Sequence, residues 1–270
     1  MNTNFVHSNS KKCQECQTMR KKVVVIKIGS NVVTENGGVS LEVLRLIAKQ
    51  VVHARAKGYD AIIVSSGAVS CGKKFVTHVD NIVLHQVAAA IGQPILMQHW
   101  AEVFAEFTII VGQFLETHKA FENPGVISLL QTALDCGIVP VINENDAVST
   151  EEMKKFFGHG DNDMLAAIVA AKLNAAALIL LTNVDGLYAS LEDMRAGKVI
   201  SCIPEINEEI LKLAGLLNSD RPTGMGPKLL AARHTTEHGI HVWIANGFKE
   251  VVPQILAGGQ VGTHCLPRRK

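Results

Sequence analysis

The chain has 270 residues, of which 47% are hydrophobic and 5% aromatic, and its formal net charge at pH 7 is +1. That balance excludes the broad basic surface of a nucleic-acid-binding protein, and no run of roughly 18 apolar residues is present to span a membrane. Six cysteines without regular spacing exclude a disulfide-framed module. A core of Val, Ile, Leu and Ala rather than aromatics suits a parallel sheet covered by helices on both faces.

Residues 1–22 carry five basic residues, Lys11, Lys12, Arg20, Lys21 and Lys22, against one acid, Glu15. They contain no apolar h-region, so they do not read as a secretory signal. A polar, mobile tail over residues 1–21 is the expectation, with a transit peptide as the alternative. Cys13 and Cys16 form a CxxC, but zinc needs a second pair, and none stands at matching spacing. Cysteine usage points to a reduced, cytoplasmic chain.

Lys22 to Ile28 (KVVVIKI) is an apolar strand interrupted by one charge, Lys27, just before the turn Gly29-Ser30-Asn31. A charge in a buried run is costly without a partner. Two readings stand. Lys27 snorkels from an edge strand, or it aims at phosphate from the carboxyl edge of the sheet, with the amides of the glycine turn beside it. Ser40 to Lys57 has helical period, with Leu41, Leu44, Ile47, Ala48 and Val51 on one face and Gly58 as the stop. A second strand, Ala61 to Ser65, leads into Ser66-Gly67-Ala68-Val69. From Gly67 to Lys73 the spacing imitates the P-loop pattern GxxxxGK. Lys74 stands where a hydroxyl must ligate magnesium, so this is a near-miss. Asn81 to Phe107 reads as helical with a break at Gly92 and Pro94, followed by a strand from Thr108 to Leu115 and a helix from Gly125 to Cys136.

The most informative stretch runs from Ile138 to Asp163. An apolar strand, Ile138 to Ile142, spills into Asn143, Glu144, Asn145 and Asp146, at the carboxyl end where open α/β sheets place ligands. After a loop of 14 residues, Ala147 to Gly160, comes Asp161-Asn162-Asp163 and an apolar helical run, with Asp and Asn reading as the helix cap. Either cluster alone reads as a turn or a cap. Together, amides and carboxylates suit a ligand bearing both ammonium and carboxylate groups.

Beyond it, a strand from Ala175 to Leu181 enters Thr182-Asn183-Val184-Asp185-Gly186. A short extended piece, Val199 to Pro204, precedes a helix from Asn207 to Leu217. The polar loop Asn218 to Pro227 contains Gly224 and Gly226, and Lys228 opens a helix over Leu229 to His238. A strand, Ile240 to Ile244, and a helix, Glu250 to Leu256, complete the pattern. Such alternation predicts an α/β fold, a three-layer αβα sandwich with a mainly parallel central sheet, as one domain over residues 22–270. No GxGxxG follows a strand, against a dinucleotide dehydrogenase, and the 11 histidines lack metal-ligand spacing.

VPVINENDAV with GDND resembles the glutamate 5-kinases of the amino acid kinase family. KIGSNVV, SSGA, TNVDGLY and GMGPK extend the resemblance over roughly Lys22 to Thr263. It implies the amino acid kinase fold and transfer of the γ-phosphoryl of ATP to the γ-carboxylate of L-glutamate, the first step of proline biosynthesis. Mg2+ would come with ATP, and no protein-held metal is implied. Lys27 and Lys228 would flank the phosphates as catalytic residues, with Asp163 grouped with them as organiser. ATP would meet Lys27, Gly29, Ser30, Thr182, Asn183 and the run Pro222, Thr223, Gly224, Met225, Gly226, Pro227 and Lys228. Glutamate would meet Ser66, Gly67, Ala68, Asn145, Asp146, Asp161 and Asn162. No general base is needed, since the acceptor is already a carboxylate. Such a transfer needs in-line alignment and positive charge at the equatorial oxygens.

The resemblance further implies feedback inhibition by proline, a homo-oligomer (dimer or tetramer), a functional link to glutamate-5-semialdehyde dehydrogenase, and no nucleic-acid or membrane partner. The chain departs from the family pattern in several places. Asn183 replaces an Asp, Pro222 and Thr223 stand where Thr and Gly are usual, and Pro227 replaces a hydroxyl residue. The loop Ala147 to Gly160 is longer, and no RNA-binding-like domain follows Val261-Gly262-Thr263. Within the fold, kinases of aspartate, N-acetylglutamate, carbamate or UMP are the alternatives, and NENDAV disfavours them. Outside it stands a non-catalytic nucleotide or amino-acid sensor, against which the three charges Lys27, Asp163 and Lys228 argue as a set.

Overall fold

The structure is a computed structural model, and it describes residues 21–76, 81–148, 162–216 and 224–268. Its strands are β1 (Lys22–Ile28), β2 (Thr34–Glu35), β3 (Gly38–Val39), β4 (Tyr59–Ser65), β5 (Val111–Glu116), β6 (Val139–Glu144), β7 (Ala177–Thr182), β8 (Cys202–Ile203), β9 (His241–Asn246) and β10 (Thr263–Cys265). Its described α-helices are α1 (Ser30–Val33), α2 (Leu41–Ala56), α3 (Ala68–Gly72), α4 (Ile82–Ala105), α5 (Pro124–Asp135), α6 (Asn162–Lys172), α7 (Leu191–Arg195), α8 (Glu208–Leu216), α9 (Met225–Glu237) and α10 (Val252–Leu256).

Eight strands form one sheet in the order β5–β6–β4–β1–β7–β9–β10–β8, while β2 and β3 make a separate hairpin. Pairing from β5 across to β9 is parallel throughout. Only β10 runs antiparallel to β9, with β8 parallel to β10. The mainly parallel, doubly covered sheet read from the sequence is therefore present. Strand order reverses at β1, which has β4 on one side and β7 on the other. A ligand crevice is expected at the carboxyl ends of the strands around such a reversal.

Strand parity decides which layer each side chain enters. Val24, Ile26 and Ile28 pack with α2 and with Trp100 and Phe104 of α4. Val25 packs on the opposite face with α6 and α9. Lys27 shares the parity of Val25, so it points into the α6–α9 layer. The edge-strand reading of Lys27 falls, because β1 is central.

Several boundaries differ from those expected. β6 continues through Asn143 and Glu144, whose backbones pair with Leu115 and Glu116 of β5. α4 runs unbroken through Gly92 and Pro94. A proline removes one ladder hydrogen bond, and the buried Leu96, Trp100 and Phe104 anchor the turns that follow. β5 starts late because Thr108 adopts a left-handed φ of 57°. α9 starts at Met225, taking Gly226 and Pro227 into its first turn. The β2–β3 hairpin, α1, α3, α7 and β10 had no clear signal in the sequence.

Candidate active site

Three elements bring three charges to one point. β1 supplies Lys27, and the first turns of α6 and α9 supply Asp163 and Lys228. Lys27 Nζ lies 2.7 Å from Asp163 Oδ1, and Lys228 Nζ lies 2.9 Å from Asp163 Oδ2. Their exposures are 5%, 4% and 6%, so the charges meet out of bulk water. Buried ions survive only with good partners. Burial pushes the Asp163 carboxyl up, but Lys27 and Lys228 outweigh it and hold the pKa below the ordinary carboxylate value. The array thus keeps a carboxylate between two ammonium groups, with one positive charge in excess.

Glycines leave space beside both ammonium groups. A Cβ on Gly29 would sit 3.9 Å from Lys27 Nζ, and one on Gly224 would sit 3.8 Å from Lys228 Nζ. Gly29 serves by lacking a side chain rather than by offering its amide, because Gly29 N–H donates to Leu181 O at 3.3 Å.

Beside this array lies a frame of buried amides. Asn162 Oδ1 accepts from the Glu144 N–H at 3.1 Å. Asn162 Nδ2 donates to Asn143 Oδ1 at 2.9 Å and to Ser66 Oγ at 3.2 Å. Asn143 Nδ2 in turn donates to Gln93 Oε1 at 2.7 Å. Ser66 N–H donates to Ile28 O, tying the loop after β4 to the end of β1. Next to the frame a cleft of about 280 Å³ opens, lined among others by Ala68, Gln93, Gln113, Glu144, Asn145 and Asp146.

Comparison with known proteins supplies the family. The amino acid kinase family model matches residues 22–246. The glutamate 5-kinase of Geobacillus kaustophilus is 38% identical over 257 residues, covering 91% of this chain and 68% of that protein. That of Clostridium perfringens is 36% identical over 261 residues, covering 92% of this chain and 96% of its own length. The chain belongs to the amino acid kinase family, among its glutamate 5-kinases. Carbamate kinase from Giardia lamblia bound to AMP-PNP superposes with a TM-score of 0.64 at 18% identity, covering 92% of this chain and 99% of that one. That similarity speaks for the fold alone.

Against this family background, the expected residues divide clearly. Lys27, Asp163 and Lys228 converge, and Ser66 and Asn162 join the amide frame. Ala68, Asn145 and Asp146 line the cleft. Gly67, at φ 116°, makes the turn into α3. Thr182 and Asn183 stand at the end of β7, the Thr182 hydroxyl 3.4 Å from Asn183 Oδ1. Gly224 caps α9, while Met225, Gly226 and Pro227 form its first turn. Asp161, Pro222, Thr223 and residues 149–160 of the long loop lie outside the described residues, as do Cys13 and Cys16. Among the described residues, no group of three or more His, Cys, Asp or Glu side chains is placed to hold a metal ion.

The sequence reading missed Gln93 and Gln113 in the cleft, and it placed Glu144 at the ligand edge without giving it a role. A lone amide inside an apolar helical run was the available signal for Gln93, and NENDAV itself contains Glu144. It also missed Asp185, which accepts from Lys249 Nζ at 2.6 Å and from Asn246 Nδ2 at 2.9 Å. These bonds, Lys249 first and Asn246 second, hold the Asp185 carboxyl below its ordinary value and tie the loop after β7 to the loop after β9.

The P-loop look-alike has a packing explanation. A Cβ on Gly72 would lie 1.8 Å from Ala88 O, and a Cβ on Gly92 would lie 1.8 Å from Ala68 O. Both glycines let the backbones of α3 and α4 touch. Lys73 is exposed in a single 3-10 turn. Lys73→Ala is therefore expected to retain near wild-type kcat, a surface change within about 0.5 kcal/mol, while Lys27→Ala loses most turnover. Steady-state rates of the two variants check this, and the reverse ranking would overturn the site.

Proposed function

We propose that this chain moves the γ-phosphoryl of ATP onto the side-chain carboxylate of L-glutamate, forming L-glutamyl 5-phosphate at the start of proline biosynthesis. The buried Lys27–Asp163–Lys228 array beside the amide-lined cleft carries this reading. Phosphoryl transfer asks a protein for alignment and charge rather than covalent help. In this reading Lys27 and Lys228 meet the transferring group from two sides, and Asp163 positions both.

ATP lies along Gly29, Ser30, Thr182, Asn183 and the Pro222–Lys228 segment. Glutamate lies along Ser66, Gly67, Ala68, Asn145, Asp146, Asp161 and Asn162, with the Asp146 carboxylate facing its ammonium. Magnesium comes with ATP, held mainly by phosphate oxygens, and screens the charge that develops there. The proposal includes a homo-oligomer, a cytoplasmic location, and hand-over of the labile acyl phosphate to a glutamate-5-semialdehyde dehydrogenase. No helix among the described residues is long and apolar enough to cross a membrane.

Hydroxylamine trapping tests the activity directly, because an acyl phosphate yields a hydroxamate. Glutamate with ATP should give the product, and aspartate, N-acetylglutamate, carbamate and UMP should support little ADP release. Preferential turnover of one of those would replace glutamate as the acceptor.

Proline should inhibit competitively. It carries the α-carboxylate and ammonium of glutamate without the γ-carboxylate, so shared contacts suffice. Initial rates across proline concentrations at several glutamate levels should show inhibition relieved by glutamate. Insensitivity to proline would remove feedback from this chain.

A further inference from the structure

The amide frame has a direction, and that direction reaches the cleft. A backbone N–H can only donate, so the Glu144 N–H fixes the Asn162 carbonyl oxygen as acceptor and its nitrogen as donor. Asn162 Nδ2 then spends its two hydrogens on Asn143 Oδ1 and Ser66 Oγ. That fixes Asn143 with its nitrogen toward Gln93, where it donates to Oε1 at 2.7 Å. Gln93 Oε1 is thereby committed to Asn143, which makes Nε2, a pure donor, the end of the amide opposite that bond. Gln93 is 8% exposed and lines the cleft wall with Ala68, Asn145 and the carboxylates Glu144 and Asp146.

We infer that Gln93 is a specificity-determining residue, whose Nε2–H donates to the α-carboxylate of glutamate. This assignment rests on the proposed glutamate activity. The α-carboxylate is chosen over the reacting one because neither Lys27 nor Lys228 lines this cleft. An anion is chosen over a neutral group because the donor is nearly dry, where a hydrogen bond to a charged acceptor is strongest. Precision comes from two glycines. Gly92 precedes Gln93 and sets this turn of α4 directly on the Ala68 carbonyl, while Gly72 sits on Ala88. The donor is thereby held at a fixed distance from the Ser66–Ala68 loop. Asn162 Nδ2, with both hydrogens given to Asn143 and Ser66, stiffens this side of the glutamate site through the frame.

Two substitutions in the full chain separate contact from support. Gln93→Met removes both polar ends at similar length. Gln93→Glu keeps an acceptor for Asn143 Nδ2 but replaces the donor with an anionic oxygen. Glutamate binding is measured by calorimetry at pH 8 in the presence of AMP-PNP, with the glutamate KM, kcat and ATP KM from hydroxamate assays and Tm by calorimetry. A hydrogen bond to a charged group accounts for about tenfold or more in affinity.

Both variants should bind glutamate at least about tenfold more weakly, with kcat and ATP KM changing much less and each variant still unfolding in one cooperative transition. If only Gln93→Met weakens binding, Gln93 merely props Asn143 and the assignment fails. If only Gln93→Glu does, the effect is repulsion without a native contact, and the assignment also fails. Wild-type affinity in both overturns it, whereas a wild-type chain that does not bind glutamate overturns the activity as well.

Discussion

Asp163→Asn is expected to lower kcat by at least roughly 10²-fold and to destabilise the fold in the same step. Asparagine matches the shape but leaves two buried ammonium groups, Lys27 and Lys228, facing a neutral amide. Removing one partner of a buried pair typically costs about 3–5 kcal/mol, and here one carboxylate serves two cations. The side chains relieve the strain by shedding a proton or by swinging away from the transfer site, and either outcome removes positive charge from it. The triple variant Lys27→Met, Asp163→Leu, Lys228→Met separates the two effects. Replacing a whole buried ionic group by apolar residues of similar size is often neutral for stability, so Tm should recover while activity stays lost. Turnover in the triple variant would exclude the array from chemistry.

The pH dependence of that stability has a definite sign. The folded Asp163 pKa lies below its ordinary value of 3.8. Its contribution is therefore fully present above the ordinary value and is lost as pH falls through the folded one. Urea unfolding of wild type and Asp163→Asn should give a difference that does not shrink from neutral pH down to that ordinary value and shrinks only below it. A difference that already shrinks near pH 6 would contradict a depressed carboxyl.

How much of this was legible in the sequence depends on whether the signal was local. Lys27 stood out because one charge broke an apolar run, and strand period then gave its layer. Its central place was not legible, since strand order arises from pairing with β4 and β7 far along the chain. NENDAV marked a ligand edge, yet the strand was expected to stop at Ile142, because the pairing of Asn143 and Glu144 with β5 leaves no trace in their own side chains. Gly226 and Pro227 also read as loop. A first helical turn tolerates Pro because its N–H has no intrahelical partner there. Gln93 announced burial but not its partner, 50 residues away. Gly67 to Lys73 gave a false phosphate-loop pattern, since a glycine needed for helix contact has the same letter as one needed for phosphate.

Lys228→Ala is expected to reduce kcat by roughly 10²–10³ and to leave the glutamate KM nearly unchanged. Lys228 stands in the first turn of α9, beside the open space left by Gly224, with its ammonium fixed by Asp163. In the proposed mechanism, a charge so placed would meet the transferring group most strongly when negative charge spreads over its equatorial oxygens, which is a transition-state event. Contacts made equally in ground and transition states would instead appear in KM. Stability should suffer less than in Asp163→Asn, because Lys27 and Asp163 remain as a neutralised pair at 2.7 Å. Lys228→Arg supplies the same charge on a larger planar group in a site closed to water, so it should recover only part of the rate. Hydroxamate assays giving kcat and both KM values, with Tm for each variant, make the comparison. Unchanged kcat in Lys228→Ala would remove this lysine from phosphoryl transfer. A loss confined to the ATP KM would make it a nucleotide anchor, leaving Lys27 alone beside the transferring group.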